Sequence, residues 1–301
     1  MATEQPHISV CVCTYKRPEL LKRALDALCD QDTGGLFTFS IVVVDNDEME
    51  SGRTVATAVA KRSSIRVTYS VEPRQNIALA RNKAIANVTG DFLAFLDDDE
   101  YPIKAWLLAL FRACTEYGVD GALGPVKPYF DQGAPKWVVR GNFYKRPTYP
   151  TGFIIDWRKG RTGNVLLKRD LFATGDEPFR THFRVGEDQD FFRRMIEEKH
   201  VFIWCNEAVA YEFVPKVRCK RSFMLRRALL RGACSLLHPT FGLRDIAKSI
   251  IAVLAYAAVL PLSLLAGQRI FMTCSIKLFD HLGRLLAFVG IRLVKSAYVM
   301  E

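Results

Sequence analysis

The stretch Phe92–Glu100, Phe-Leu-Ala-Phe-Leu-Asp-Asp-Asp-Glu, constrains this chain more than any other. Five apolar residues run directly into four acids. The apolar part lacks alternation and reads as a buried strand of a parallel sheet, where both faces are covered. In open α/β sheets, ligands bind outside the carboxyl ends of the strands. Asp97, Asp98 and Asp99 therefore fall where a ligand would sit. Adjacent carboxylates repel, so such a cluster is costly without a nearby cation. Mg²⁺ characteristically takes one or two carboxylates together with substrate phosphates. The stretch predicts a metal–phosphate site at a strand end in preference to a solvated acidic turn.

The surrounding pattern agrees with a parallel sheet. Ile8–Thr14 reads as a strand, followed by Pro18 at a first helical turn and a stripe of Leu20, Leu21, Ala24, Leu25 and Leu28. Strands are expected at Phe39–Val44, Ile65–Tyr69 and Ala122–Leu123, with helices at Thr54–Ala60, Ile77–Ala86 and Ala105–Tyr117. This alternation implies a mostly parallel sheet flanked by helices. From Pro125 to Gly163 the pattern breaks, and a loop region over the site is expected. Val165–Leu167 resumes as a strand. A helix opens at Gly186-Glu-Asp-Gln-Asp, and short strands follow at Val201–Cys205 and Ala208–Phe213.

Charge divides the chain. Residues 213–301 carry 14 Lys and Arg against 3 Asp and Glu, whereas residues 1–212 carry 28 against 29. A neutral body with a basic tail points to a polyanionic partner. Nucleic acid would call for aromatics interleaved with Lys and Arg. The tail instead has long apolar runs, which favours an anionic membrane surface. Ser249–Gln268 holds no charged residue and is long enough to span, but Pro261 is expected to interrupt it and basic residues flank both ends. A re-entrant or in-plane arrangement fits as well as a span, and Leu285–Val294 reads as a second interfacial helix. The eight cysteines form no Cys-x-x-Cys pair and no zinc-finger spacing, which points to a reducing compartment. The N-terminal residues show no signal-peptide pattern.

Several residues have the chemistry for a site. The first strand is followed by Thr14-Tyr-Lys-Arg-Pro-Glu with no glycine, which excludes a Gly-x-Gly-x-x-Gly dinucleotide turn, and no Walker sequence is present. Asp45 ends the second strand, where a carboxylate serves either a base or ribose or a turn. Arg81 precedes the central strand and suits either a phosphate or the acidic cluster. Asp188, three and four residues before Phe191 and Phe192, is expected on the buried face of its helix, as a general base or as a carboxylate stabilised by the helix dipole. One acid cluster for metal and a second for a base fit transfer from a phosphate-activated donor.

These motifs occur in a familiar order: Val10-Cys-Val-Cys-Thr-Tyr-Lys-Arg-Pro, Val42-Val-Val-Asp-Asn-Asp, Ile77-Ala-Leu-Ala-Arg-Asn, the Phe92–Glu100 run and Gly186-Glu-Asp-Gln-Asp-Phe-Phe. Together, over residues 7–235, they resemble inverting glycosyltransferases of family 2 with the GT-A nucleotide-diphospho-sugar transferase fold. Within that family the likeness is nearest to ExoM-type glucosyltransferases, which build succinoglycan-like exopolysaccharide on a lipid carrier. Leu123-Gly-Pro-Val and Thr162-Gly-Asn-Val-Leu-Leu-Lys-Arg-Asp carry that narrower match.

The resemblance implies a GT-A domain over 1–215, with a donor half at 1–125 and an acceptor half at 126–215, followed by a membrane-association region at 216–301. It implies that Thr14, Tyr15, Arg17, Asp45, Arg81 and Asp97 contact the donor nucleotide. Asp99 would ligate Mg²⁺ or Mn²⁺, Asp188 would be the catalytic base, and Glu187 and Asn164 would support the acceptor side. The implied partners are a UDP-sugar (glucose by the ExoM likeness), a lipid-diphosphate-linked saccharide acceptor and an anionic membrane at the cytoplasmic face of the inner membrane, with no nucleic acid. The family often has a His after its last strand; Tyr211 holds that position here, ahead of Glu212-Phe-Val-Pro, so water or donor phosphate would complete the metal shell. Two other readings are a nucleotidyltransferase, which lacks its Gly-rich N-terminal loop here, and an inactive scaffold of a polysaccharide-export complex, against which intact Asp97, Asp99 and Asp188 argue.

Overall fold

The computed structural model describes residues 5–173, 177–183, 186–237, 241–291 and 293. The first half of the chain alternates as β1 His7–Thr14, α1 Pro18–Cys29, β2 Thr38–Asp45, α2 Arg53–Arg62, β3 Val67–Val71, α3 Ile77–Ala86 and β4 Phe92–Asp97. Then come β5 Glu100–Pro102, α4 Trp106–Glu116, β6 Gly121–Leu123, β7 Val126–Phe130 and α5 Lys136–Gly141. The remainder comprises β8 Val165–Lys168, α6 Glu187–Glu197, β9 Phe202–Trp204, β10 Ala210–Val214, α7 Arg221–Cys234, α8 Leu243–Leu265 and α9 Gln268–Phe288.

Among the described residues the main sheet has the order β3-β2-β1-β4-β8-β6-β9. Strands β1 to β4 run parallel, β8 runs antiparallel to both its neighbours, and β9 is parallel to β6. Chain order reverses about β1, with β2 on one side and β4 on the other. The register sets Thr14 beside Asp45 and Cys13 beside Asp97. Three strands thus end level at the switch point, where α/β sheets bind ligands.

Both faces of the sheet are buried. Val10, Val12, Ile41, Val43, Ala94 and Leu96 face α1, α2 and α4 in one apolar cluster. The alternate residues Cys11, Val42, Val44, Leu93 and Phe95 pack with α3 and α6 in another. Period-two alternation sends successive side chains to opposite faces, so a strand covered on both sides must be apolar throughout. A smaller sheet has the order β5-β10-β7 and pairs Glu212 with Glu100 and Tyr211 with Tyr101.

The structure differs from the sequence expectations in several places. The segment 125–163 contains β7 and α5, and β3 begins two residues later than expected. The chain resolves into two compact units, residues up to Tyr129 with Lys145–Phe213, and Phe130–Tyr144 with the chain from Val214 onward. The excursion 130–144 joins the C-terminal unit because Val138 and Tyr144 share an apolar cluster with Val214 and Cys219, a non-local packing that no local pattern signals.

Within that unit α8 passes through Pro261 without stopping. It has the length and composition of a membrane span, with mean hydropathy 2.0, and only 11% of its apolar window is buried. Leu254, Leu262 and Leu265 are 67%, 66% and 88% exposed, an unusual apolar surface for water. The Ser249 hydroxyl on α8 accepts from Arg284 Nη1 on α9 at 3.1 Å and lies 3.1 Å from His281 Nδ1. The helix expected from Leu285 in fact begins at Gln268 and ends at Phe288; Val294 lies outside the described residues.

Candidate active site

The acidic run divides by burial. Asp98 turns inward at 5% exposure, accepting the Thr14 hydroxyl at 2.8 Å and facing Arg17 Nη1 at 3.3 Å. Burial and the charge of Asp99 push its carboxyl up to about 7, against the pull of Arg17 and Thr14. Asp99 also meets Arg17, at 3.5 Å, and its side chain is 12% exposed. Asp97 is the open member, with 45% of its side chain exposed and Arg81 Nη2 at 3.8 Å. Lost hydration raises the Asp97 carboxyl, Arg81 opposes that, and the charge of Asp99 adds to it. Its exposure lets water temper the shift.

Arg81 joins the two acid clusters. From α3 it forms a buried ion pair with Glu187 on α6 while reaching Asp97 on β4. This pairing with acids is one of its two expected roles. Asp188, next along α6, is half-buried, whereas Glu187 and Asp190 are 5% and 3% exposed. The sequence expectation that Asp188 lies on the buried face is thus corrected: the first turn sits at the rim of the core, and Gly186, with φ of 87°, sets its entry angle. Burial, then the charge of Glu187, pushes the Asp188 carboxyl up to about 6, with Arg81 opposing. A base of that pKa is ionised at neutral pH yet basic enough to take a proton.

Asp45 does not reach open space. It is fully buried, one oxygen accepting the Asp47 N–H at 3.0 Å and the other the Tyr69 hydroxyl at 2.9 Å and the Gly52 N–H at 2.6 Å. The chain itself uses this carboxylate to fix the β2–α2 turn, the turn role the sequence had left open. Tyr15 is half-buried just beyond β1. Asn164, expected to support the acceptor side, is a buried hub. Its amide donates to Pro125 O at 2.9 Å and Ala208 O at 2.8 Å, and its carbonyl accepts Trp106 Nε1–H at 2.7 Å.

Four residues of the site were not singled out from sequence. Glu100 and Glu212, at 1% and 5% exposure, stand side by side across β5 and β10, with Arg146 Nη2 donating to Glu212 at 2.6 Å and Nη1 lying 4.0 Å from Glu100. Neither Glu100 oxygen has a hydrogen-bond partner. Burial, then the charge of Arg146, pushes Arg161 down to about 10. The signal for Glu100 was present as the fourth acid of the run; Arg146 and Arg161 stand among loop residues with no periodicity. Tyr211 stacks on Tyr101 at 5.6 Å between centroids, and strand alternation sends it to the face opposite Glu212. The residue that β10 turns toward the acids is therefore Glu212, not the one at the expected His position.

A divalent ion fits this donor set. Among the described residues no ready cage of three or more ligands exists. A cavity edge does: a Cβ on Gly163 would come within 2.7 Å of Asp97 Oδ2 and 3.0 Å of Glu100 Oε1, so only glycine leaves those oxygens room. Carboxylates in excess, one of them orphaned, suit a Mg²⁺-type site completed by phosphates and water.

Comparison with known proteins is consistent with this architecture. Residues 9–173 match the model of the family described as glycosyl transferase family 2. The succinoglycan biosynthesis protein ExoM of Rhizobium meliloti is 34% identical over 235 residues, 77% of this chain and 75% of that protein. The GalNAc(5)-diNAcBac-PP-undecaprenol beta-1,3-glucosyltransferase of Campylobacter jejuni is 27% identical over 116 residues, 37% of this chain and 35% of its own length. Among solved structures, S. aureus TarS 1-349 in complex with UDP-GlcNAc superposes with a TM-score of 0.52 at 16% identity, covering 96% of this chain and 93% of that one. At that identity the likeness speaks for the fold.

Proposed function

Because the chain belongs to glycosyl transferase family 2, we propose that it moves a sugar, glucose by the ExoM likeness, from a UDP-sugar to a lipid-diphosphate-linked saccharide, with inversion. The observation that carries this reading is Arg81, which holds Asp97 and Glu187 in one ion group and so fixes the acid pair at the end of β4 relative to Asp188. Asp188 accepts the proton of the acceptor hydroxyl. The freed oxygen attacks the anomeric carbon, and the bond from that carbon to the β-phosphate oxygen breaks on the opposite side, its electrons leaving with UDP. Asp99 would hold Mg²⁺ or Mn²⁺, which would supply positive charge against the diphosphate, with Asp97 contacting the donor nucleotide. Thr14 holds Asp98, and Arg17 holds Asp98 and Asp99. TarS, with UDP-GlcNAc in its complex, and the undecaprenol-linked substrate named for the C. jejuni relative support the donor and acceptor classes.

The test is UDP release against a panel of UDP-sugars, with EDTA or added Mn²⁺. One sugar is expected to turn over, and EDTA is expected to abolish it. Turnover of none, with an acceptor extract present, would remove the UDP-donor reading.

The C-terminal unit fits the membrane part of the proposal. Lys216, Lys220, Arg221, Arg244 and Lys248 belong to the unit that carries the exposed apolar side of α8, and basic residues near an anionic surface contribute about 1 kcal/mol each. Attachment to the cytoplasmic leaflet would bring the enzyme to a lipid-carried acceptor. The L254D/L262D double variant is expected to lose flotation with vesicles containing phosphatidylglycerol while its melting stays cooperative. Undiminished flotation would refute the role of α8.

A further inference from the structure

Arg146 differs from the other arginine buried among these acids. The Arg81 side chain is 9% exposed, whereas that of Arg146 remains 29% exposed. Its two anchors are side by side for a reason of register. Glu212 and Glu100 face one another across antiparallel strands, an arrangement that is repulsive by itself. A guanidinium set between them relieves that repulsion and is held in place by it. Its planar fork carries five N–H donors; Nη2 donates to Glu212, and Nη1 lies 4.0 Å from Glu100 without a hydrogen bond to it. Asp97 and Asp99 lie within its electrostatic reach. Arg161 stands close enough for its own charge to be disfavoured by that of Arg146. An anion arriving here would relieve Arg161.

The sheet sets what flanks Asp97 on either side. Thr14 and Asp45 end β1 and β2, on one side of Asp97. Gly163, which adjoins both Asp97 and Glu100, leads into β8, the neighbour of β4 on the other side. A nucleotide whose base lay on the β1–β2 side would carry its phosphates past Asp97 toward Arg146, and in that placement the β-phosphate is the one within reach.

We infer that Arg146 binds the β-phosphate of the sugar-nucleotide donor and stabilises the charge that develops there as the sugar leaves. Glu212 and Glu100 are positioning residues that hold its guanidinium toward the diphosphate. The assignment rests on the donor being a nucleoside diphosphate sugar.

The experiment is titration calorimetry of UDP and of UMP, with Mn²⁺, against the full chain and its R146A, R146K and R146Q/E212Q variants. The last replaces the Arg146–Glu212 pair by two neutral amides, so that Glu212 is not stranded opposite a lost charge. R146A and R146Q/E212Q are expected to weaken UDP about 10- to 100-fold, the range for losing a charge-assisted contact to phosphate, and to leave UMP within about twofold. R146K should fall between, since a point charge replaces a fork. Variants that melt cooperatively and lose UDP and UMP alike, or lose neither, overturn the assignment alone. A wild-type chain that binds neither nucleotide overturns the donor reading, and the assignment with it.

Discussion

Replacing Asp188 by Asn is expected to lower kcat by about 10²- to 10⁴-fold, the usual contribution of a positioned general base, while UDP affinity changes little. The side chain keeps its size, and its one backbone partner, the Gln189 N–H at 2.8 Å, can still donate to the amide oxygen. The substitution therefore removes proton acceptance and leaves the helix start intact. The pH profile supplies a second readout. Only the ionised carboxylate can take a proton, and the folded chain pushes its pKa up to about 6. In the wild type, kcat/KM should fall about tenfold per pH unit below that value and level off above it. Residual activity in the variant should lack this limb. A variant retaining more than a tenth of wild-type kcat, with the acidic limb unchanged, would move the base elsewhere in the site.

Asn164→Ala is expected to cost roughly 3–5 kcal/mol of stability, measured by urea denaturation, because each buried group left unpaired costs about 1–3 kcal/mol. Trp106 Nε1 and Ala208 O lose their partner at once, and Pro125 O keeps only the Ala210 N–H. The backbone adds to this, since Asn164 adopts φ of 61°, a conformation Asn tolerates better than Ala. The hub connects α4, the start of β7 and the turn before β10, so the loss should appear as a single cooperative shift. A loss below about 1 kcal/mol would show that water replaces the amide. Since Gly163 adjoins the hub and opens the space beside Asp97 and Glu100, donor affinity should fall with stability in this variant, unlike in Asp188→Asn.

The sequence and the structure agree most closely where one element settles the matter. The Phe92–Asp97 strand, the Pro18–Cys29 helix and the helix opening after Gly186 follow from an apolar run, a periodic leucine stripe and a glycine ahead of an acidic first turn. The acids at the ends of β4 and α6 follow too, because a strand end and a first helical turn are places that local pattern identifies. Asp188 shows the limit of that reasoning. Its spacing from Phe191 and Phe192 implied the buried face, but Asp188 is half-buried while Glu187 and Asp190 beside it are buried, so at a helix start the spacing does not fix burial.

What the sequence by itself determined was the alternating α/β architecture, the acidic strand end and the contrast between a neutral body and a basic, apolar tail. These rest on periodicity and charge counts, which act between residues near in sequence. Tertiary structure alone decided which side chains meet. The register of β10 on β5 turned Glu212 toward the acids and Tyr211 onto Tyr101. Packing of Val138 and Tyr144 against Val214 assigned the 130–144 excursion to the C-terminal unit. Arg146 met Glu212 across 66 positions of chain. Such pairings are chosen by the burial and charge balance of the whole fold, and no window of neighbouring residues carries that information.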